Sequence, residues 1–212
     1  MWRRWRANAA RALAGGAVEL RLGREADGAS LADFDVVVLC TGARPFVPDW
    51  ASVDHVDAWS AIANPAGIAG PVLVADWGGG WDGLDAAEVL ARHGLAVTLA
   101  CAAPCPGHTL HQYQRNLYLS RLDQEGIEIL HHTEVTGRKL RHVFSGRESR
   151  LPDVATIVCA QGREPEDELW SALENTLGRV RAGDVLGPRS AEEATLEGVT
   201  AFQAARVATS VA

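Results

Sequence analysis

No apolar run in this 212-residue chain approaches the ~20 residues that a membrane-spanning helix needs. The opening MWRRWRANAARALAGGA is positively charged but has no continuous apolar core, which argues against a secretory signal. Cysteine is scarce, and Cys40, Cys101, Cys105 and Cys159 suggest no disulfide framework. Cys40 and Cys159 fall inside strand-like apolar runs, where a reduced thiol acts as a small hydrophobe. A reducing cytoplasm is the expected setting. Positive charge is also short: a net charge of -7 excludes a nucleic-acid role driven by phosphate contacts. The basic cluster Arg3, Arg4, Arg6 and Arg11 reads as the polar face of a helix.

Reactive constellations are missing too. Cys101-x-x-x-Cys105 has one residue too many for a redox dithiol. His108 and His111 could share a helix face, but apart from Cys105 no further ligand stands near them, so no metal site is expected. His131 and His132 close a strand and should point to opposite faces. No nucleophile or acid–base set emerges, so no catalytic residue is assigned.

What is present is an α/β pattern. Hydrophobic residues make up 47% and charged residues 22%, the balance of a globular protein with one large or two small cores. Residues 1–14 read as a helix stopped by Gly15-Gly16, and 17–23 alternate like a strand. Val36–Cys40 form a continuous apolar run, the mark of a buried parallel strand. From residue 70 the pattern restarts: strand 71–75, a glycine loop, helix 84–93 closed by Gly94, and strand 95–101. A longer helix is expected over 109–125, capped by Thr109, stopped by Gly126, with Leu110, Tyr113, Leu117 and Leu122 inward. A hairpin should turn near Gly137. VATIVCAQGR then repeats the strand-then-Gly-Arg pattern of FDVVVLCTGAR, and helices near 166–177 and 190–208 complete the chain. Because the two similar segments flank the middle block, one unit is expected to be inserted in another.

Three motifs could touch a ligand. Gly78-x-Gly80-x-x-Gly83 has the spacing for a tight turn, close approach to a pyrophosphate and helix–strand packing. Against that, Asp76, Asp82 and Asp85 bring negative charge, Trp77 and Trp81 could fill the space, and the next strand lacks a ribose-binding acid at Ala100-Cys101. The loop is either a dinucleotide site or a turn that only keeps the fold. Thr41-Gly42 follows a strand where a backbone could pass close to a ligand. Asp184, before a helix opening at Ser190, could face a sugar or diphosphate; the plainer reading is a turn plus a Ser190–Glu193 capping box.

In order, DVVVLCTGARP, GPVLVADWGGGWDGLDAAEVLARHGLAVTLA, LYLSRLDQEGIEILHHTEV, VATIVCAQGR and AGDVLGPRSAEEATLEGVTAFQAA resemble the C-terminal half of old-yellow-enzyme-like flavin oxidoreductases, among them trimethylamine and histamine dehydrogenases. The resemblance implies a Rossmann-like parallel-sheet domain (49–149), of NAD(P)-binding type, inserted into an FAD/ADP-binding Rossmann-like domain (1–48 and 150–212). That outer domain is expected to be incomplete, because its own first GxGxxG is not in the sequence. It further implies FAD or ADP contacts at Thr41, Gly42 and Asp184, with Gly78, Gly80 and Gly83 forming the inserted domain's loop, whose aspartates resemble the amine-dehydrogenase branch more than the NADPH-using reductases. The family's FMN-bearing barrel and iron–sulfur cluster would belong to a partner chain or a region outside this sequence.

Overall fold

The structure, a computed structural model, describes residues 2–16, 18–51, 55–173 and 178–211. Along the chain run α1 (Trp2–Ala14), α2 (Gly28–Leu31), β1 (Val37–Leu39), β2 (Ala43–Pro45), β3 (His55–Asp57), α3 (Ala58–Ala63), β4 (Val72–Asp76) and α4 (Trp81–Arg92). Then follow β5 (Val97–Cys101), α5 (Gln112–Gln124), β6 (Glu128–His131), β7 (Thr133–Thr136), β8 (Lys139–His142) and β9 (Glu148–Arg150). The chain closes with β10 (Thr156–Ala160), β11 (Arg163–Pro165), α6 (Glu168–Ala172), β12 (Arg179–Arg181) and α7 (Ala191–Val211). No described helix is long and apolar enough to cross a membrane.

The centre is a five-stranded parallel sheet ordered β3-β10-β4-β5-β6. The run VLVAD makes β4 its middle strand, with all five residues buried because sheet neighbours flank it and packed layers cover both faces. Leu73 faces the β7–β8 hairpin with Val135 and Leu140, while Val72 and Val74 face the helices with Leu84, Leu90, Leu99 and Leu122. Each such fully buried side chain contributes about 1.5–3 kcal/mol. One buried charge interrupts this layer: Glu88 Oε1 on α4 accepts from Arg92 Nη2 and Arg121 Nε, both at 2.7 Å. β10 lies between β3 and β4, so the sheet extends past the boundary at 149/150 that the sequence suggested.

A second, smaller layer joins β1 to β12 in parallel, with α7 packed on both. Here the expected buried run Val36–Cys40 is not realised. Only Val37–Leu39 forms strand, burial alternates, and Cys40 is exposed, since β12 covers one edge of β1 and no strand covers the other among the described residues. The anticipated strand at 17–23 is irregular over 18–23, with Val18, Leu20 and Leu22 exposed and no partner strand among the described residues; residue 17 lies outside them.

Three helix expectations need correction. α4 begins at Trp81, not at 84, with Gly80 as N-cap. α5 begins at Gln112 under a His111 cap, not at Thr109, and His111 Nδ1 accepts from the Tyr113 amide. Leu110 and Leu122 are buried as expected, but Tyr113 and Leu117 face outward, and Tyr118 takes the inner position. α6 ends at Ala172, and the rest of the predicted helix, 174–177, lies outside the described residues. The hairpin does turn at Gly137, with φ of 64°, between β7 and β8.

Candidate functional site

The glycine loop starts from the buried end of β4. Asp76 is only 3% exposed, and its Oδ1 accepts the Gly79 amide at 2.9 Å, closing an Asx-type turn. Gly79 has a positive φ of 59° and is pressed against the following segment: a Cβ there would meet Ala103 Cβ at 2.8 Å and His108 Cβ at 3.0 Å. Its carbonyl accepts from both the amide (3.1 Å) and the hydroxyl (3.2 Å) of Thr109. Gly83 lies in the first turn of α4, where a Cβ would sit 2.7 Å from Asp76 Cγ. It is this glycine that brings helix and strand together.

The object filling the loop is therefore Asp76, not a tryptophan. Trp77 is 55% exposed and Trp81 44% exposed, the latter edge-on to Tyr118 at 5.4 Å between ring centroids. Burial pushes the Asp76 carboxyl up to about 7, against the pull of the Gly79 amide. Its Oδ2 has no hydrogen-bond partner. Asp85 is also raised, first by burial and then by the charges of Glu88 and Asp82. Burial drives the Cys101 thiol up to about 12, so it has little thiolate for redox work. Among the described residues, no group of three or more His, Cys, Asp or Glu could hold a metal ion. His131 and His132 are not opposed across a strand; His132 leaves it with φ of 51°.

The second motif is built by a long-range pairing. Gly42 and Gly162 adopt matching φ values of 90° and 91°, and each opens a short strand, β2 and β11, that pairs antiparallel with the other. Reciprocal bonds lock the turns: Glu166 N donates to Gly42 O at 3.1 Å, and Phe46 N to Gly162 O at 3.0 Å. Thr41 Oγ1 donates to Glu166 O at 2.6 Å, so this hydroxyl fixes the turn. Arg44 adds ion pairs to Glu164 (2.9 Å) and Glu168 (2.6 Å).

Asp184, in a single 3-10 turn, is drawn to the same place. Arg163 Nη1 binds its Oδ2, Arg189 N donates to its Oδ1 at 3.2 Å, and Arg163 Nη2 reaches Arg189 O at 2.8 Å. Arg189 pairs in turn with Glu197, whose Oε2 accepts the Gly183 amide at 2.9 Å. The Ser190–Glu193 cap forms, with Ser190 N donating to Glu193 Oε2 at 3.1 Å. Gly42 and Asp184 thus line one pocket of about 440 Å³ beside Cys40 and Ala194. The glycine loop lines a larger cleft of about 1050 Å³. Arg163, Arg189, Ser190 and Ala191 border both, so Gly78, Gly80 and Gly83 stand on the far wall from Gly42 and Asp184. Sequence reasoning did not single out Arg163 or Arg189. The repeated Gly-Arg at 42–44 and 162–163 was the available signal for the first.

The model of the pyridine nucleotide-disulphide oxidoreductase family matches residues 9–186. N,N-dimethylglycine/sarcosine dehydrogenase of Chromohalobacter salexigens is 30% identical over 179 residues, covering 74% of this chain and 26% of that protein. Among solved structures, histamine dehydrogenase from Rhizobium sp. 4-9 superposes with a TM-score of 0.79 at 18% identity, over 98% of this chain and 36% of its own. The 6-hydroxypseudooxynicotine amine oxidase of Pseudomonas geniculata N1 gives 0.79 at 22%, over 94% and 34%. The chain spans about a quarter to a third of the length of these relatives. A family match over residues 9–186, which takes in the whole five-stranded sheet with β1 and β12, leads to one assignment: this chain belongs to the pyridine nucleotide-disulphide oxidoreductase family.

Proposed function

We propose that this chain is the FAD- or ADP-binding part of a flavin-dependent oxidoreductase of amine-dehydrogenase or demethylase type. The nucleotide lies in the pocket of Gly42 and Asp184, and Thr41 acts by holding the turn. One observation carries this reading: Gly42, 142 residues before Asp184, meets it in a pocket of about 440 Å³, inside the ~300–1000 Å³ range of small-molecule sites. Gly42 leaves open space where a Cβ would stand, so a ligand can pass close to its backbone. Arg163 and Arg189 border the pocket, where phosphate oxygens would compete for them with Asp184 and Glu197. A flavin bound here would supply the redox chemistry, and this chain's own residues bind and orient it. The partner is a flavin-barrel unit with FMN and an iron–sulfur cluster, on the same polypeptide or another. The units are an inserted one of about 49–149 completed by β10, and an outer one of 1–48 with the remainder of 150–212, acting in the cytoplasm.

Cys40 gives a direct test, because it lines the proposed pocket and is exposed. Burial raises its thiol, so alkylation by N-ethylmaleimide should be slow at neutral pH and faster above it. ADP is expected to slow this alkylation, and NADH much less. An unchanged rate with ADP at saturating concentration would count against the pocket.

A second reading, an NAD(P)H-dependent reductase module using Gly78, Gly80 and Gly83, is favoured by the size of the neighbouring cleft. The carboxyl of Asp76 on the Gly79 amide opposes it.

A further inference from the structure

The large cleft has a charge pattern that the nucleotide pocket does not explain. Its loop side presents Asp82 and Asp85 near the mouth and Asp76 at the base. Burial raises the carboxyls of Asp76 and Asp85, and the charge of Asp82 adds to both, with Glu88 adding to Asp85. Asp76 is buried, and its Oδ2 makes no hydrogen bond, with only the weak Cys101 thiol nearby, so the carboxyl is under-satisfied for a buried acceptor. Across the cleft the two arginines bring no free charge, since Arg163 is bound to Asp184 and Arg189 to Glu197. The cleft is thus an acidic hollow with neutralised walls.

Its residues do not fit a dinucleotide pyrophosphate. The Gly79 amide in the loop before α4 already serves Asp76, and three carboxyls would face the phosphates at the helix start. An inorganic cation lacks a three-ligand group among the described residues. An organic cation meets neither obstacle. Beside the carboxyls stand the Trp81 and Tyr118 rings, packed edge to face, which can cover an alkyl stem and attract its charge.

We propose that this end of the cleft binds a small organic cation, an alkylammonium group held by Asp82 and Asp85 over the orphaned Asp76 carboxyl, with its stem on Trp81 and Tyr118. The ammonium donates N–H bonds to carboxylates that otherwise repel each other, so binding strengthens as Asp76 ionises. The titratable groups that act on Asp76 are Asp82 on α4 and Cys101 on β5, and those that act on Asp85 are Asp82 and Glu88 on α4 with Tyr118 and Arg121 on α5. The site is separate from the proposed nucleotide pocket and stands whether or not that pocket takes ADP.

The test is calorimetric titration of butylammonium chloride into the 212-residue chain, with sodium chloride as the control and near-UV circular dichroism to verify each variant's fold. A saturable single-site heat is expected that sodium does not give. Asp82→Asn and Asp76→Asn should each weaken it roughly tenfold or more. Just below neutral pH, binding should release protons from Asp76, read as a heat that tracks the buffer's ionisation enthalpy and is lost in Asp76→Asn. NADH should give no saturable heat. No saturable heat with butylammonium, an affinity unchanged in both variants, or an NADH heat that butylammonium competes away would each overturn the assignment.

Discussion

Asp76→Asn is expected to stabilise the folded chain at pH 8 by about 4 kcal/mol and to leave it nearly unchanged near pH 4. The carboxyl titrates at about 7 in the fold against an ordinary 3.8, principally because burial disfavours its charge. Below 3.8 both states hold the proton. Between 3.8 and about 7 only the folded state holds it, so stability falls as pH rises, by about 1.36 kcal/mol per unit. Above 7 the loss is complete and stability levels off. Asparagine keeps an oxygen for the Gly79 amide, removes the charge, and so removes the slope. Urea unfolding at pH 5 and pH 8 measures this, and an equal effect at both pH values would contradict it.

The second large effect falls on Gly83. A Cβ there stands 2.7 Å from Asp76 Cγ and 2.8 Å from Asp76 Cβ, atoms close to the backbone that cannot swing aside. Gly83→Val therefore has to push α4 off β4, and overpacking of this kind costs about 1–3 kcal/mol, occasionally more. The upper end applies, because valine recovers less helix propensity over glycine than alanine would and adds more bulk. In an Asp76→Gly background the clash partner is gone, and the same substitution should cost at least ~1 kcal/mol less. Gly78→Ala provides the contrast. Its Cβ meets nothing within 4 Å, and the change should be near neutral. Chemical denaturation of these variants decides the matter: equal costs for Gly83→Val in both backgrounds would remove Asp76 as the cause.

These expectations show where the sequence was legible. VLVAD, VTLAC and TIVCA are short apolar runs buried on both sides, so pattern alone located β4, β5 and β10. The glycine spacing located the loop, and Gly94 and Gly126 marked helix ends with φ of 89° and 70°. What escaped was set by contacts distant in sequence. Residues 18–23 alternate like a strand yet pair with none, and Cys40 sits in an apolar run yet lies at the end of a strand paired on one edge, among the described residues. The pairing of β2 with β11 joins residues about 120 apart, and on β11 Arg163 meets Asp184. Asp76 was visible as a charge near the loop, but not as its occupant. That role depends on one bond to Gly79, three residues on.

The same geometry ranks the ligand candidates. Gly42 and Asp184 converge on an accessible pocket with two arginines at its border. Gly78, Gly80 and Gly83 line a cleft that Asp76, Asp82 and Asp85 also line, with the Asp76 carboxyl bound to the neighbouring Gly79 amide. A nucleotide is therefore expected at the first set and not at the second.

The most direct measurement is calorimetric titration of ADP into the chain and two variants, Ala194→Trp and Gly78→Ala. Ala194 lines the proposed pocket from α7, and a tryptophan there fills it without changing the backbone demand. Gly78 lines the other cleft. The account predicts single-site ADP binding that Ala194→Trp abolishes and Gly78→Ala leaves intact. Binding that survives Ala194→Trp, or that is lost with Gly78→Ala, would contradict it.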